Sequence, residues 1–211
     1  MRKVLAVAVA FALCAGAYAD IATSLDCYYQ ADVTPGDDTS VPDFNNGTYY
    51  TVDMYVHVTN GDDWSSTAAL ATIDGGLFFD HPLNDDTVPM AAFVNLYPAM
   101  LYDSFYLTTK ADAGNNPAFL DPSFVYNNTT ATTRDALWFI TGGAGGVGDF
   151  LIARYTIKAE DAELPVTFSV DGVHTTMDGG GTLYPFDLTC VIPEPASLAL
   201  LGLGLALIRR R

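Results

Sequence analysis

The chain has 211 residues, and 25 acidic side chains outnumber nine basic ones, for a formal charge of −16 at neutral pH. A surface this acidic repels nucleic acid and anionic lipid, so no nucleic-acid partner is expected. Half of the residues are hydrophobic, enough for one core of ordinary domain size.

Met1-Arg2-Lys3 is a positive start, and Val4 to Ala15 is an apolar run. Ala17-Tyr18-Ala19 then supplies small residues around a cleavage point. The pattern predicts a signal peptide over residues 1–19, with Asp20 as the mature N-terminus. An uncleaved helix is the alternative, but the run is short and polar sequence follows it. Cys14 is no lipoprotein cysteine, because Leu13 before it is not small. It is expected to leave with the signal peptide.

The domain is placed at residues 20–190. It keeps only Lys110, Arg134, Arg154 and Lys158 as bases against 24 acids. Its remaining cysteines, Cys27 and Cys190, lie near opposite ends. In an oxidising compartment they are expected to pair and tie the termini together; two free thiols are the alternative.

Residues 31–46 are rich in Asp, Pro, Gly and Asn and read as loop. From Tyr49 to Thr59 the chain alternates. Tyr50, Val52, Met54, Val56 and Val58 share one face; Thr51, Asp53, Tyr55, His57 and Thr59 share the other, as in a half-buried strand. Asn60-Gly61-Asp62-Asp63 signals a turn. Trp64 follows, then a strand from Ala68 to Ile73, a break at Asp74-Gly75-Gly76 and a short strand at Leu77-Phe78-Phe79.

Pro82, Pro89 and Pro98 interrupt the middle, and Leu101 to Thr109 reads as a strand. Residues 111–128 read mostly as loop. Ala136 to Ile140 is a compact apolar run, expected as a central strand. Beyond the glycines of 142–148, Phe150 to Ile157 is another strand. Leu151, Ala153, Tyr155 and Ile157 are its expected core face; Phe150, Ile152, Arg154 and Thr156 are the opposite one. Val166 to Val170 and Leu183 to Val191 complete the sheet. No window shows sustained helical periodicity. Short strands between Gly, Pro, Asn and Asp turns predict an all-β fold, an antiparallel β-sandwich with Greek-key connections or a jelly roll.

Motifs for chemistry are scarce. The glycines of 142–148 are not followed by Gly-Lys-Ser/Thr and precede a strand, so a hairpin connection is expected rather than a phosphate loop. His57, His81 and His174 lie far apart, without ligand spacing, and His57 reads as a surface residue. The pairs Asp37-Asp38, Asp62-Asp63 and Asp85-Asp86, and Asp178 before three glycines, do not fit a calcium loop and read as solvated turns. There is no Gly-x-Ser-x-Gly elbow. Trp64, Trp138 and the tyrosines offer sugar-stacking surface, though core packing accounts for most of them. No catalytic residue, metal site or cofactor is assigned.

The last segment, residues 191–211, has three parts. Pro193-Glu194-Pro195 is stiff, because both prolines fix φ and push the preceding residue to extended geometry. Ala196 to Ile208 is uncharged. As a helix it would rise roughly 20 Å at about 1.5 Å per residue, short of the 30 Å bilayer core. Arg209, Arg210 and Arg211 close the chain and favour the cytoplasmic side. Membrane insertion through this tail is expected, with the domain outside.

In this order of parts the tail resembles the PEP-CTERM sorting signal of Gram-negative bacteria, with Ile192 where valine is common and a short apolar run. The resemblance covers about a tenth of the chain. It implies exosortase, a membrane-embedded cysteine transpeptidase-like enzyme, as partner, with processing near Pro-Glu-Pro. It also implies a host that makes exopolysaccharide or biofilm.

The resulting expectation is an exported, non-enzymatic protein of the cell surface or extracellular matrix, transiently anchored in the inner membrane. Its role would be structural or adhesive, with extracellular polysaccharide as a further candidate partner. A carbohydrate-binding module is the alternative, and an ordered aromatic strip on an exposed sheet face would favour it. A polysaccharide-processing enzyme stands third.

Overall fold

The computed structural model describes residues 21–29, 40–41, 48–59, 64–84, 88–106, 120–121, 130–140, 147–159, 165–176 and 182–192. The predicted signal peptide, its cleavage site, the Asn60–Asp63 turn, the three aspartate pairs, Asp178 and the tail from Pro193 lie outside these residues.

Ten strands are described: β1 (Ile21–Tyr29), β2 (Thr48–Val58), β3 (Trp64–Asp74), β4 (Leu77–Phe78), β5 (Phe105–Tyr106), β6 (Leu120–Asp121), β7 (Thr133–Ile140), β8 (Gly148–Ala159), β9 (Val166–Thr176) and β10 (Leu183–Ile192). They form two antiparallel sheets. One has the order β1-β2-β8-β4, with β5 also on β8; the other runs β10-β9-β3-β7-β6. Along the described strands the chain changes sheet from β2 to β3, β3 to β4, β5 to β6, β7 to β8 and β8 to β9. The strands that leave one sheet, β2 and β8, pair with each other, and so do the strands that follow them in the other, β3 and β9. The all-β sandwich follows from the alternation: Val52, Met54 and Val56 of β2 face Ile73, Val170 and Phe168 of the other sheet within one core.

The sequence pattern misplaces several elements. β1 was not anticipated, although Ile21 is buried and Leu25 and Cys27 pack on the core. β3 begins at Trp64 itself, which is wholly buried and closes one end of the core. Of the strand expected at Leu101 to Thr109, the first two residues belong to a 3-10 turn, Pro98–Tyr102, Phe105 and Tyr106 form β5, and residues 107–109 lie outside the described residues. Pro98 stands at the start of that 3-10 turn, where a fixed φ and a missing N–H favour helical geometry. The only α-helix among the described residues is the four-residue α1 (Ala91–Val94). β7 is not central: it lies between β3 and the two residues of β6.

The face assigned to β8 is corrected by a bulge. Met54 pairs with Ala153 but Tyr55 pairs with Leu151, so Ile152 is an extra residue on β8. Before the bulge Phe150 and Ile152 enter the core; after it Ala153, Tyr155 and Ile157 do. An extra residue inverts the alternation downstream.

Thr51 and Thr156, both on the outer face, are nevertheless fully buried. The segment after β4 covers them. Phe79 N–H donates to the Thr156 carbonyl at 2.8 Å, and Thr156 N–H donates to Ser104 Oγ at 3.0 Å. Tyr49, Phe79 and Ala99 make a second small core there. The chain reaches this face through Gly75 and Gly76. Gly76 has φ 93° and a Cβ there would stand 2.9 Å from the Lys158 carbonyl, so only glycine fits.

Candidate functional site

The sorting residues Pro193, Glu194, Pro195, Arg209, Arg210 and Arg211 lie outside the described residues, as do Ala17, Ala19 and Asp20. Of the residues singled out from sequence, the structure places the two cysteines and three histidines.

β1 and β10 are the end strands of the two sheets and pack against each other. Cys27 and Cys190 are bonded across this seam, with Cα atoms 6.8 Å apart and 163 positions between them in sequence. The bond joins one sheet to the other at the side where both are open.

The histidines stand in three different settings. His81 is buried beneath the covering segment. Its Nε2 meets Ser40 Oγ at 3.0 Å and its backbone N–H donates to Asp103 Oδ1 at 2.6 Å. Asp103 Oδ2 accepts from Asn84 at 2.6 Å, which fixes the turn at Pro82. This cluster is architectural.

His174 lies between the sheets, 1% exposed. Its Nε2 meets Thr23 Oγ1 of the first sheet at 2.5 Å, and its Nδ1 meets Thr67 Oγ1 of the second at 2.7 Å. Trp64 Nε1–H donates to the same Thr67 hydroxyl at 2.8 Å. Phe186 stacks on the imidazole with ring centres 4.6 Å apart. Burial penalises the charged ring and pushes its pKa down to about 3, so His174 is neutral at physiological pH.

His57 does lie on the outer face of the first sheet, as expected, but it is not isolated. Ser24 of β1 and Asp149 of β8 flank it. Ser24 Oγ is 2.7 Å from His57 Nε2, and Asp149 Oδ1 is 2.6 Å from His57 Nδ1. An ionised carboxylate can only accept, so Nδ1 carries the proton toward Asp149. Nε2 is then an acceptor for the Ser24 hydroxyl. Further along the same face Arg154 grips Asp53 through two hydrogen bonds of 2.7 Å each. Sequence reasoning missed Ser24 and Asp149, which lie 33 and 92 positions from His57.

The second sheet presents a different outer face. Paired rows place Thr189, Ser169 and Thr72 together, then Asp187, Asp171 and Leu70. No aromatic strip lines it among the described side chains. Among the described residues no three His, Cys, Asp or Glu side chains gather as a metal set. No described helix is long and apolar enough to cross a membrane.

Residues 191–211 match the PEP-CTERM protein-sorting motif. The tail is therefore a sorting signal, and such a signal implies an exported protein processed by exosortase at the membrane. A comparison with curated proteins finds no match. Among solved structures, the collagen-binding subdomain of the Enterococcus faecalis surface protein ACE is similar at 11% identity and a TM-score of 0.37, covering 68% of this chain and 88% of that one. The collagen-binding domain of a Staphylococcus aureus adhesin is similar at 12% identity and a TM-score of 0.34, with the same coverage. A DUF4466 family protein from Parabacteroides merdae is similar at 13% identity and a TM-score of 0.27, covering 79% of this chain and 43% of that one. No function is carried over from these three.

Proposed function

We propose that this is an exported protein that exosortase processes near Pro193-Glu194-Pro195, leaving the sandwich at the cell surface or in the extracellular matrix. Its role there is structural or adhesive, within exopolysaccharide or biofilm, and does not depend on catalysis. The signal peptide over residues 1–19 delivers it to the inner membrane. The tail then holds it there transiently, with Arg209, Arg210 and Arg211 on the cytoplasmic side.

The match of residues 191–211 to the sorting motif carries this reading. Two further observations support it. A sandwich closed by a sheet-to-sheet disulfide suits an exported domain. The outer face of the second sheet, with its rows of Thr, Ser and Asp, suits a hydrated polymer rather than a lipid or a nucleic acid.

The test is co-sedimentation of the released protein with exopolysaccharide from its own host. Retention on that polymer, and not on an unrelated neutral glucan, is the expected result. Failure to bind, together with an unaltered matrix in a strain lacking the protein, would remove the structural and adhesive role.

A further inference from the structure

Ser24, His57 and Asp149 sit on three neighbouring strands of one sheet, with their side chains on its outer face. Asp149 lies directly opposite His57, and Ser24 lies one diagonal step away on β1. Ala22 is the residue directly opposite His57, and its methyl leaves the imidazole open toward Ser24. The order of contacts is hydroxyl, Nε2, Nδ1, carboxylate, at 2.7 and 2.6 Å. That is the geometry in which a serine is a nucleophile, a histidine its base and a carboxylate the group that orients the ring. The His57 side chain is 32% exposed and that of Asp149 76%, so the group meets solvent.

We propose that these three side chains form an acyl-transfer site for carboxylic esters with good leaving groups. The proposal goes beyond the adhesive reading and does not rest on it; it adds a covalent chemistry to a face that reading leaves unused. Ser24 Oγ forms a bond to the acyl carbon as its proton passes to His57 Nε2. The bond to the leaving oxygen then breaks, and that oxygen takes the proton from Nε2. An ester on Ser24 and a free alcohol result. Water, deprotonated by the same Nε2, then releases the carboxylic acid and restores the hydroxyl. Asp149 keeps Nδ1 protonated throughout and offsets the charge on the ring.

Two features define the substrate class. β1 ends its sheet, so among the described strands none of that sheet continues the outer face beyond Ser24. Tyr55, opposite Ser24 and stacked on His57 with ring centres 6.4 Å apart, is the nearest aromatic surface for the acyl group. Burial, then the charges of Asp53 and Asp26, raise the Tyr55 pKa, so this phenol stays an O–H donor at neutral pH. The rest of the site is open to water, which restricts the chemistry to esters that need little help in expelling their alcohol.

The test uses the protein as isolated from producing cells. A fluorophosphonate probe is added, and the labelled peptide is identified by mass. In this reaction Ser24 Oγ bonds to phosphorus and fluoride leaves. Label on Ser24, absent in Ser24→Ala and slowed about a hundredfold or more in His57→Gln, is expected from loss of a general base. Asp149→Ala should slow it about tenfold, since water partly replaces an exposed carboxylate. Hydrolysis of p-nitrophenyl acetate should fall in the same order. All three variants change outward side chains, and a thermal unfolding scan checks that each stays folded. A native protein that takes no label, or one whose labelling is indifferent to His57→Gln, would overturn the site and reduce the row to cross-strand packing.

Discussion

His174 shows what one residue can do to the stability of this fold. It bridges the sheets as a neutral ring, with a hydroxyl on each nitrogen and Phe186 against its face. Its folded pKa, about 3, lies below the ordinary value near 6.5. The unfolded chain therefore takes the proton first. The stabilisation is complete above about pH 6.5 and is lost progressively as pH falls toward 3, by at most about 1.4 kcal/mol per unit. Urea midpoints at pH 7.5, 6.5 and 5.5 test this, because few carboxylates titrate in that range. The wild-type protein should weaken across the series, and His174→Gln should show a flatter profile whatever its absolute stability. Parallel profiles would mean that His174 does not carry the dependence. Little of this was legible in the sequence. The alternation of β2 set His57 outward, but His81 and His174 look alike in the sequence, and only the fold puts one under a covering segment and the other between sheets. Ser24 and Asp149 were equally silent, because three strands from distant parts of the chain bring them to His57.

At the scale of elements, the alternation of β2 was readable because each residue obeys a period of two without interruption on its core side. On β8 the same reasoning chose the wrong face for residues before the bulge, since both faces of Phe150 to Ile157 carry large apolar side chains. Nothing in composition marks which residue is the extra one. Leu101 to Thr109 misled in another way: of its described residues, Tyr102 packs on the small core outside the first sheet, Leu101 is exposed, and Phe105 and Tyr106 join the sheet as a two-residue strand. The two cysteines were legible by their isolation, but not the seam they close. A crosslink between end strands of different sheets should matter most when the sheets separate. A closed loop this long corresponds to about 4–5 kcal/mol in the chain-entropy picture. We expect peptide mapping without reductant to find Cys27 linked to Cys190, and reduction to lower the unfolding free energy extrapolated from urea titration by that order. Quantitative alkylation of both thiols in native exported material would contradict the pairing.

For the whole molecule, the sandwich and the tail are separate problems, and the tail is the part whose purpose the sequence declares. Pro193, Glu194 and Pro195 are the one stiff, charged element beside an uncharged run. An enzyme that reads this element in the membrane has a single carboxylate to recognise, held extended by two prolines. A charge-assisted hydrogen bond to Glu194 is worth roughly 1.5 to 3 kcal/mol. Felt fully in the transition state, its loss slows processing about ten- to a hundredfold. Glu194→Ala leaves Ala196 to Ile208 and the three arginines intact, so insertion should be unchanged. The full-length form should then accumulate in the inner membrane while the surface form declines. Fractionation and intact mass, in hosts with and without exosortase, separate the two effects. Equal processing of mutant and wild type, or processing that persists without exosortase, would leave the tail as a plain membrane anchor that happens to follow two prolines.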